Sequence, residues 1–303
     1  IGNKIITLHS YGGAIFSESF ISLKSTTFEY NKVGTFDIGG SASGGAYYGE
    51  CYQINNCIFY RNAYDTSFVY QYRDLNLPSY GGALCLEPSH FYQTTIVNSI
   101  FFGNSVVREG GAVFINSNNS KVNFFNSCFV HNKARIGASI SAQDSQDLQI
   151  ANTIFWDNEK DHGISAKVTW NRESQPSNAG NVLHGEDDAN FENSEIIKEE
   201  NYSAEEINYI FENPSDPKGS DEMWFTIDDG LSLKPQSLAV DVGEKSLLPA
   251  DITDIDSDNN ISEFLPVDLR GFSRLSSEEV DAGPYEYGSS RLVDLPIRKT
   301  LFK

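Results

Sequence analysis

Five times within the first 160 residues, a Gly-Gly-Ala-like signal is followed 14 to 19 residues later by Phe-x-x-Asn. The second glycine falls at Gly13, Gly45, Gly82, Gly111 and Gly137, and the Phe/Asn pairs are Phe28/Asn31, Phe59/Asn62, Phe101/Asn104, Phe129/Asn132 and Phe155/Asn158. Self-similarity at such a period marks a stack of like units, in which each unit buries its apolar face only against its neighbours. Chance recurrence in a loop-rich domain is the competing explanation. Five ordered copies of a two-part pattern argue against it.

Aligned on the Phe, the repeats form columns. A position filled by Ser25, Asn56, Asn98, Asn126 and Asn152 follows large apolar residues two places earlier: Leu23, Ile54, Ile96, Phe124 and Ile150. A second apolar column, Thr27, Ile58, Ile100, Cys128 and Ile154, comes just before the Phe. After the glycines, a small and a core-sized residue recur two apart: Ala14/Phe16, Ala46/Tyr48, Ala83/Cys85, Ala112/Phe114 and Ala138/Ile140. Steps of two are strand steps, and no helical spacing of three and four persists over residues 1–158. Successive Phe residues lie 31, 42, 28 and 26 apart, too far for one strand and a turn. Each unit therefore holds two or three short strands separated by bends, as in one coil of a parallel β-helix. The fold class expected is all-β, a right-handed parallel β-helix over residues 1–185, with an irregular acidic C-terminal cap over 186–290. Stacked Asn31, Asn62, Asn104, Asn132 and Asn158 would pass amide hydrogen bonds from coil to coil, and asparagine tolerates the left-handed backbone of a sharp bend.

The alternation of Gly-Gly-Ala with Phe-x-x-Asn over residues 11–158 resembles the repeats of chlamydial polymorphic outer-membrane proteins and of other secreted right-handed β-helix proteins. Farther on stand Leu231-Ser232-Leu233-Lys234-Pro235-Gln236-Ser237-Leu238-Ala239-Val240-Asp241-Val242-Gly243, then Asp268-Leu269-Arg270-Gly271-Phe272-Ser273-Arg274, then Val280-Asp281-Ala282-Gly283-Pro284-Tyr285-Glu286. These three blocks resemble the end of the bacterial choice-of-anchor Q β-helix domain, with Leu238 where that family has Pro and Pro284 where it has Ala. The resemblance implies a secreted, surface-displayed domain whose anchor lies beyond the cap. Read as chemistry, Arg274 held between Asp241 and Asp281 would tie the cap to the last coils through planar, bidentate hydrogen bonds.

Charge separates the halves. Residues 1–150 carry 10 acids and 9 bases, whereas 151–303 carry 32 and 13. Residues 186–222 read as irregular polar structure with one short helix over 203–211. A pI near 4.5 leaves nothing to neutralise phosphate, which argues against nucleic acid and fits an extracellular protein. No run of 18 apolar residues provides a membrane span, and no signal-peptide pattern opens the chain. The chain is read as part of a longer precursor, with 291–303 as a basic tail toward an anchor or sorting segment. Four cysteines, Cys51, Cys57, Cys85 and Cys128, permit two disulfides, but buried thiols acting as small apolar residues fit their columns better. No Cys/His spacing for zinc occurs.

No catalytic constellation emerges. A polysaccharide lyase needs a base and a carboxylate clamp, and Lys121, Lys133 and Arg135 fall by turns. A glycoside hydrolase needs two carboxylates across the scissile bond. Of the acids in the coils, Asp37, Asp65, Asp74, Glu87, Glu109, Asp144 and Asp147 sit in apparent loops, and none recurs on one strand face. Asp161-His162-Gly163 reads as a turn. Asp254, Asp256 and Asp258 stand at positions 1, 3 and 5 of a calcium-loop pattern, with Asn259 in place of its glycine, Glu263 following, and Leu265 where a bidentate Glu is expected. Calcium binding and a solvated acidic loop both fit. The insertion over 63–80 carries Tyr64, Phe68, Tyr70, Tyr72 and Tyr80; such rings would either contact glycans or surface proteins, or fold back on the coil. Adhesion, or a structural place in an envelope assembly, is the function expected. A carbohydrate-active enzyme is the alternative.

Overall fold

The computed structural model describes residues 2–7, 9–35, 40–68, 78–88, 92–116, 121–143, 147–160, 168–170, 178–180, 183–184, 210–275 and 278–293. The chain is a parallel β-solenoid: among the described residues its strands pair in parallel, and isolated antiparallel bridges occur within residues 211–291. One sheet runs through Ile15–Lys24, Tyr47–Asn55, Leu84–Leu86, Val113–Asn116 and Ile140–Gln143, and on its other limb through Gln93–Val97, Lys121–Phe125 and Asp147–Ala151. A second stacks Thr27–Glu29, Ile58–Tyr60, Ile100–Phe102, Cys128–Val130 and Ile154–Trp156.

Register puts like over like. Phe28, Phe59, Phe101, Phe129 and Phe155 are direct partners from strand to strand. Their rings stack inside the tube with centroids 5.0, 4.9, 4.6 and 4.8 Å apart and planes within 6° of parallel. Leu23, Ile54, Ile96, Phe124 and Ile150 line an adjoining interior wall in the same way. Stacking at the strand spacing fixes each inner ring, Phe59, Phe101 and Phe129, against two others, so the interior is a set of columns and not a globular cluster.

The asparagines divide two jobs between two columns. Each Nδ2 of Asn31, Asn62, Asn104 and Asn132 donates to the Oδ1 of the next asparagine in the stack at 2.9–3.0 Å, and each backbone N–H donates to the same oxygen. The second Nδ2 proton of Asn62, Asn104, Asn132 and Asn158 goes to the carbonyl of Phe28, Phe59, Phe101 and Phe129. The left-handed backbone of that bend belongs instead to the preceding residue, Tyr30, Arg61, Gly103, His131 or Asp157. The other column, Ser25, Asn56, Asn98, Asn126 and Asn152, adopts positive φ itself, between 44° and 57°.

Two expectations about the glycine bend are corrected. Ile140 pairs with Val113, so Gly137 matches the first glycine of the other repeats, and Ala138 takes the second glycine's place. At the second glycine a Cβ would have no room: on Gly82 it would lie 2.0 Å from the Gly111 carbonyl. The inward column is then Ile15, Tyr47, Leu84, Val113 and Ile140, and Phe16, Tyr48, Cys85 and Phe114 point to the outer side.

The apolar column Ile58, Ile100, Cys128 and Ile154 also faces outward, where the C-terminal region covers it with Ile210, Phe211, Trp224, Leu231, Leu269 and Tyr285. Strands buried on both faces read as continuous apolar runs, here Ile58-Phe59-Tyr60 and Ile100-Phe101-Phe102. This cover has no regular strand or α-helix among its described residues and lies along the side of the stack. Its contacts run from the first coil, where Trp224 Nε1 donates to Glu29 at 2.8 Å, to the fifth, where the Glu244 N–H donates to Asn152 Oδ1 at 2.8 Å. Residues 203–209 of the expected helix and Asp161-His162-Gly163 lie outside the described residues. The four cysteines are buried thiols outside any disulfide, and burial pushes the Cys51 thiol up to about 12.

Candidate functional site

The C-terminal cover leaves part of the wall open. Along the outer side, Asn55, Val97, Phe125 and Ala151 form one column and Gln53, Thr95, Asn123 and Gln149 the next. Leu248, Ile255, Leu265, Val267 and Val280 pack on the apolar members of the first column. The second column is polar, so it gains nothing by being covered and becomes the floor of a cleft of about 280 Å³. Gln93 flanks this floor, and residues 249–255 form the opposite wall.

Five amides line the cleft: Gln53, Asn55, Gln93, Asn123 and Gln149. Thr95 and Thr253 add hydroxyls, and among the described residues Asp251 is the one ionisable group in the lining. Asn55 Nδ2 donates to Thr253 Oγ1 at 2.8 Å, whereas its buried Oδ1 has no partner. Lys24 Nζ donates to the carbonyls of Thr253 and Asp254 at 2.9 and 2.8 Å and holds the far wall to the first coil. Amides offer donors and acceptors at once and carry no charge, so such a surface suits a neutral ligand rich in hydroxyls or amides.

Exposed rings flank the floor. Tyr52 and Tyr92, each one residue before a lining glutamine, are 43 and 52 % exposed, and the Tyr92 ring lies 4.6 Å from Phe20. A second aromatic surface follows the glycine bend. There Phe16 stacks on Tyr48 with centroids 5.6 Å apart, Tyr11 lies 4.7 Å from Tyr48, and Tyr80 lies 4.6 Å from Phe114 beneath the Arg108 guanidinium. Tyr48 Oη donates to Glu87 Oε1 at 2.7 Å, and burial raises its hydroxyl well above the usual tyrosine range.

The aromatic residues expected in the insertion separate accordingly. Tyr64 is buried with Val33, Ala42 and Val106 and presents no contact surface. Tyr80 belongs to the glycine-bend surface. Phe68 ends a 3-10 turn, Thr66–Phe68, and Tyr70 and Tyr72 lie outside the described residues. Tyr52, Tyr92 and Phe20 fall outside the repeat columns, so the sequence pattern does not single them out. Tyr52 is the unpaired residue where Cys51 and Gln53 oppose Ile21 and Ser22, and a bulge is invisible to a two-residue period.

The acids fall into two sets. Asp251, Asp256 and Glu263 bring one oxygen each within 4.8 Å of one another, as do Asp254, Asp256 and Asp258. Desolvation, reinforced by the neighbouring carboxylates, raises the Asp251 and Glu263 carboxyls. Arg274 differs from expectation. Its guanidinium is fully buried but is not clamped between Asp241 and Asp281. Nη1 donates to Glu286 Oε2 at 2.8 Å, and Nη2 to Asn98 Oδ1 at 3.0 Å and the Gly283 carbonyl at 2.8 Å. Asp281 accepts from the Asp241 and Tyr287 N–H groups, and Asp241 itself is an exposed bend residue with φ 58°. Arg274 still ties cover to coil, through the middle of the stack.

Comparison with known proteins finds no matching family model, no matching curated protein and no matching solved structure. The described residues contain no helix long and apolar enough to cross a membrane.

Proposed function

We propose that the chain is a non-enzymatic binding wall, part of a secreted and surface-displayed β-helix protein of the kind implied by its resemblance to choice-of-anchor Q domains and chlamydial repeats. Its ligand is a neutral glycan, free or carried on another surface protein, lying in the cleft between the outer wall and residues 249–255. The amide floor carries this reading: five neutral donor-acceptor side chains line the cleft, and exposed Tyr52 and Tyr92 stand beside it for stacking on sugar faces.

A glycan array combined with assays for new reducing ends and unsaturated products tests the proposal. Neutral oligosaccharides should bind without being cleaved. Asn123→Ala with Gln149→Ala should weaken that binding about tenfold, the loss expected for two neutral hydrogen bonds, and leave the melting temperature within about 3 °C of wild type. Absence of binding to any glycan would refute the reading. Release of product would favour the second reading, a lyase or hydrolase, for which the unpartnered Asp251 Oδ1 in the cleft lining speaks. A hydrolase would need a second carboxylate across the bond, and the lining supplies one acid.

A further inference from the structure

We propose that residues 251–263 hold a calcium-class divalent cation, ligated by Asp251, Asp254, Asp256, Asp258 and Glu263. The sequence pattern alone leaves the loop short of ligands, because Leu265 occupies the position of the bidentate Glu. Folding supplies what the pattern lacks. Asp251 lies before the pattern begins and Glu263 two residues before the expected position, yet both bring an oxygen within 4.8 Å of Asp256. Asp254 and Asp258, from within the pattern, also bring an oxygen within 4.8 Å of Asp256, so Asp256 is common to both groups. Oxygens on opposite sides of a calcium ion, each about 2.3–2.6 Å from it, are about 5 Å apart, which is the scale of these clusters.

A second observation is independent of the clustering. Asp251 is 2 % exposed, and its Oδ1 has no hydrogen-bond partner, while Oδ2 accepts the Ile255 N–H at 2.7 Å. Glu263 Oε1 is likewise buried and unpartnered. Buried carboxylate oxygens without donors are costly unless a cation meets them. The basic side chain at this loop, Lys24, gives its protons to the Thr253 and Asp254 carbonyls. Asn259 takes the usual glycine's place with φ 69°, a conformation that asparagine tolerates, and donates its N–H to Asp254 Oδ1 at 3.0 Å. One oxygen of Asp254 is thereby oriented by the backbone and the other is left for the ion. Because Asp251 also lines the cleft, the ion would fasten the cleft's outer wall. The site stands whether or not the cleft takes a glycan.

The test uses the full chain freed of metal with a chelator. Calcium chloride is titrated by calorimetry, and amide hydrogen exchange over residues 249–265 is followed with and without the ion. Expected are saturable binding with a dissociation constant at or below about 1 mM and exchange slowed about tenfold or more. Asp256→Asn should abolish binding, and Glu263→Gln should weaken it at least tenfold. Glu212→Gln, away from the loop, should bind as wild type. Should Asp256→Asn lose its β-sheet circular dichroism, Asp258→Asn and Glu263→Gln decide. Absence of heat at about 5 mM calcium, or Glu263→Gln and Asp258→Asn binding like wild type, would overturn the site.

Discussion

At pH 8, where Glu286 ionises, Arg274→Met is expected to lower the unfolding free energy by about 3–5 kcal/mol, the cost of removing one partner from a buried ion pair. Methionine fills the space of the aliphatic stem but restores none of the contacts. Glu286 Oε2, Asn98 Oδ1 and the Gly283 carbonyl each lose the Arg274 donor in a region closed to water. Glu286 also makes the loss depend on pH. Burial raises its carboxyl to about 8 although the guanidinium pulls it down, and without Arg274 it rises further. A carboxyl whose folded pKa exceeds its unfolded value near 4 contributes stability that is complete below about pH 4 and is lost as pH rises through about 8. Urea unfolding should therefore show the variant closer to wild type at pH 5 than at pH 8. Adding Glu286→Leu to Arg274→Met should recover part of the loss at pH 8. An unchanged midpoint at both pH values would mean that Arg274 does not hold the cover to the coils.

The second large effect is expected in the column of rings. Phe101→Ala should cost about 3–5 kcal/mol, because Phe101 is fully buried between Phe59 and Phe129 and the coils above and below are held apart by their own hydrogen-bonded strands. Collapse around the void is restricted when each neighbour is pinned in a ladder. Phe28 has a ring of the column on one side, Phe59 at 5.0 Å. Phe28→Ala should consequently cost about 1–2 kcal/mol less than Phe101→Ala, since in a stack each unit draws stability from its neighbours. Guanidinium unfolding of the two variants gives the comparison, and equal costs would contradict a column.

Much of this interior was legible in the chain. Phe59, Phe101 and Phe129 recur at a fixed offset from Asn62, Asn104 and Asn132 because both must meet their like one coil away. Phase was harder. A step of two says that Ala46 and Tyr48 share a face, whereas in the fold Ala46 sits at the glycine bend and joins Tyr47 in the interior while Tyr48 points outward. The outer cover had left a trace, since three apolar residues in a row, as in Ile100-Phe101-Phe102, cannot all point into a tube. What covers them could not be read, because Tyr285 and Leu269 join Ile100 in one apolar cluster from more than 160 residues along the chain. The cleft was hidden for the same reason. Gln53, Asn123 and Gln149 look like ordinary solvent-facing residues until Pro249 and Asp251 come opposite. The acids of the proposed ion site were half visible. Asp254, Asp256 and Asp258 follow a local pattern, whereas Asp251 joins them through a turn that no local pattern encodes.

Register is the claim on which the columns, the cleft floor and the cover all depend, and paired cysteines probe it directly. Asn123 and Gln149 are strand partners, and so are Lys121 and Asp147. Adjacent partners lie about 4.8 Å apart, within disulfide reach, whereas a two-residue offset places the α-carbons about 8 Å apart, beyond it. Under mild oxidation, with the four buried native thiols as internal background, Asn123→Cys with Gln149→Cys should close to a disulfide in nearly every molecule. Lys121→Cys with Gln149→Cys should stay reduced. Closure of the offset pair in preference to the aligned one would show that the coils are not wound with like residues over like.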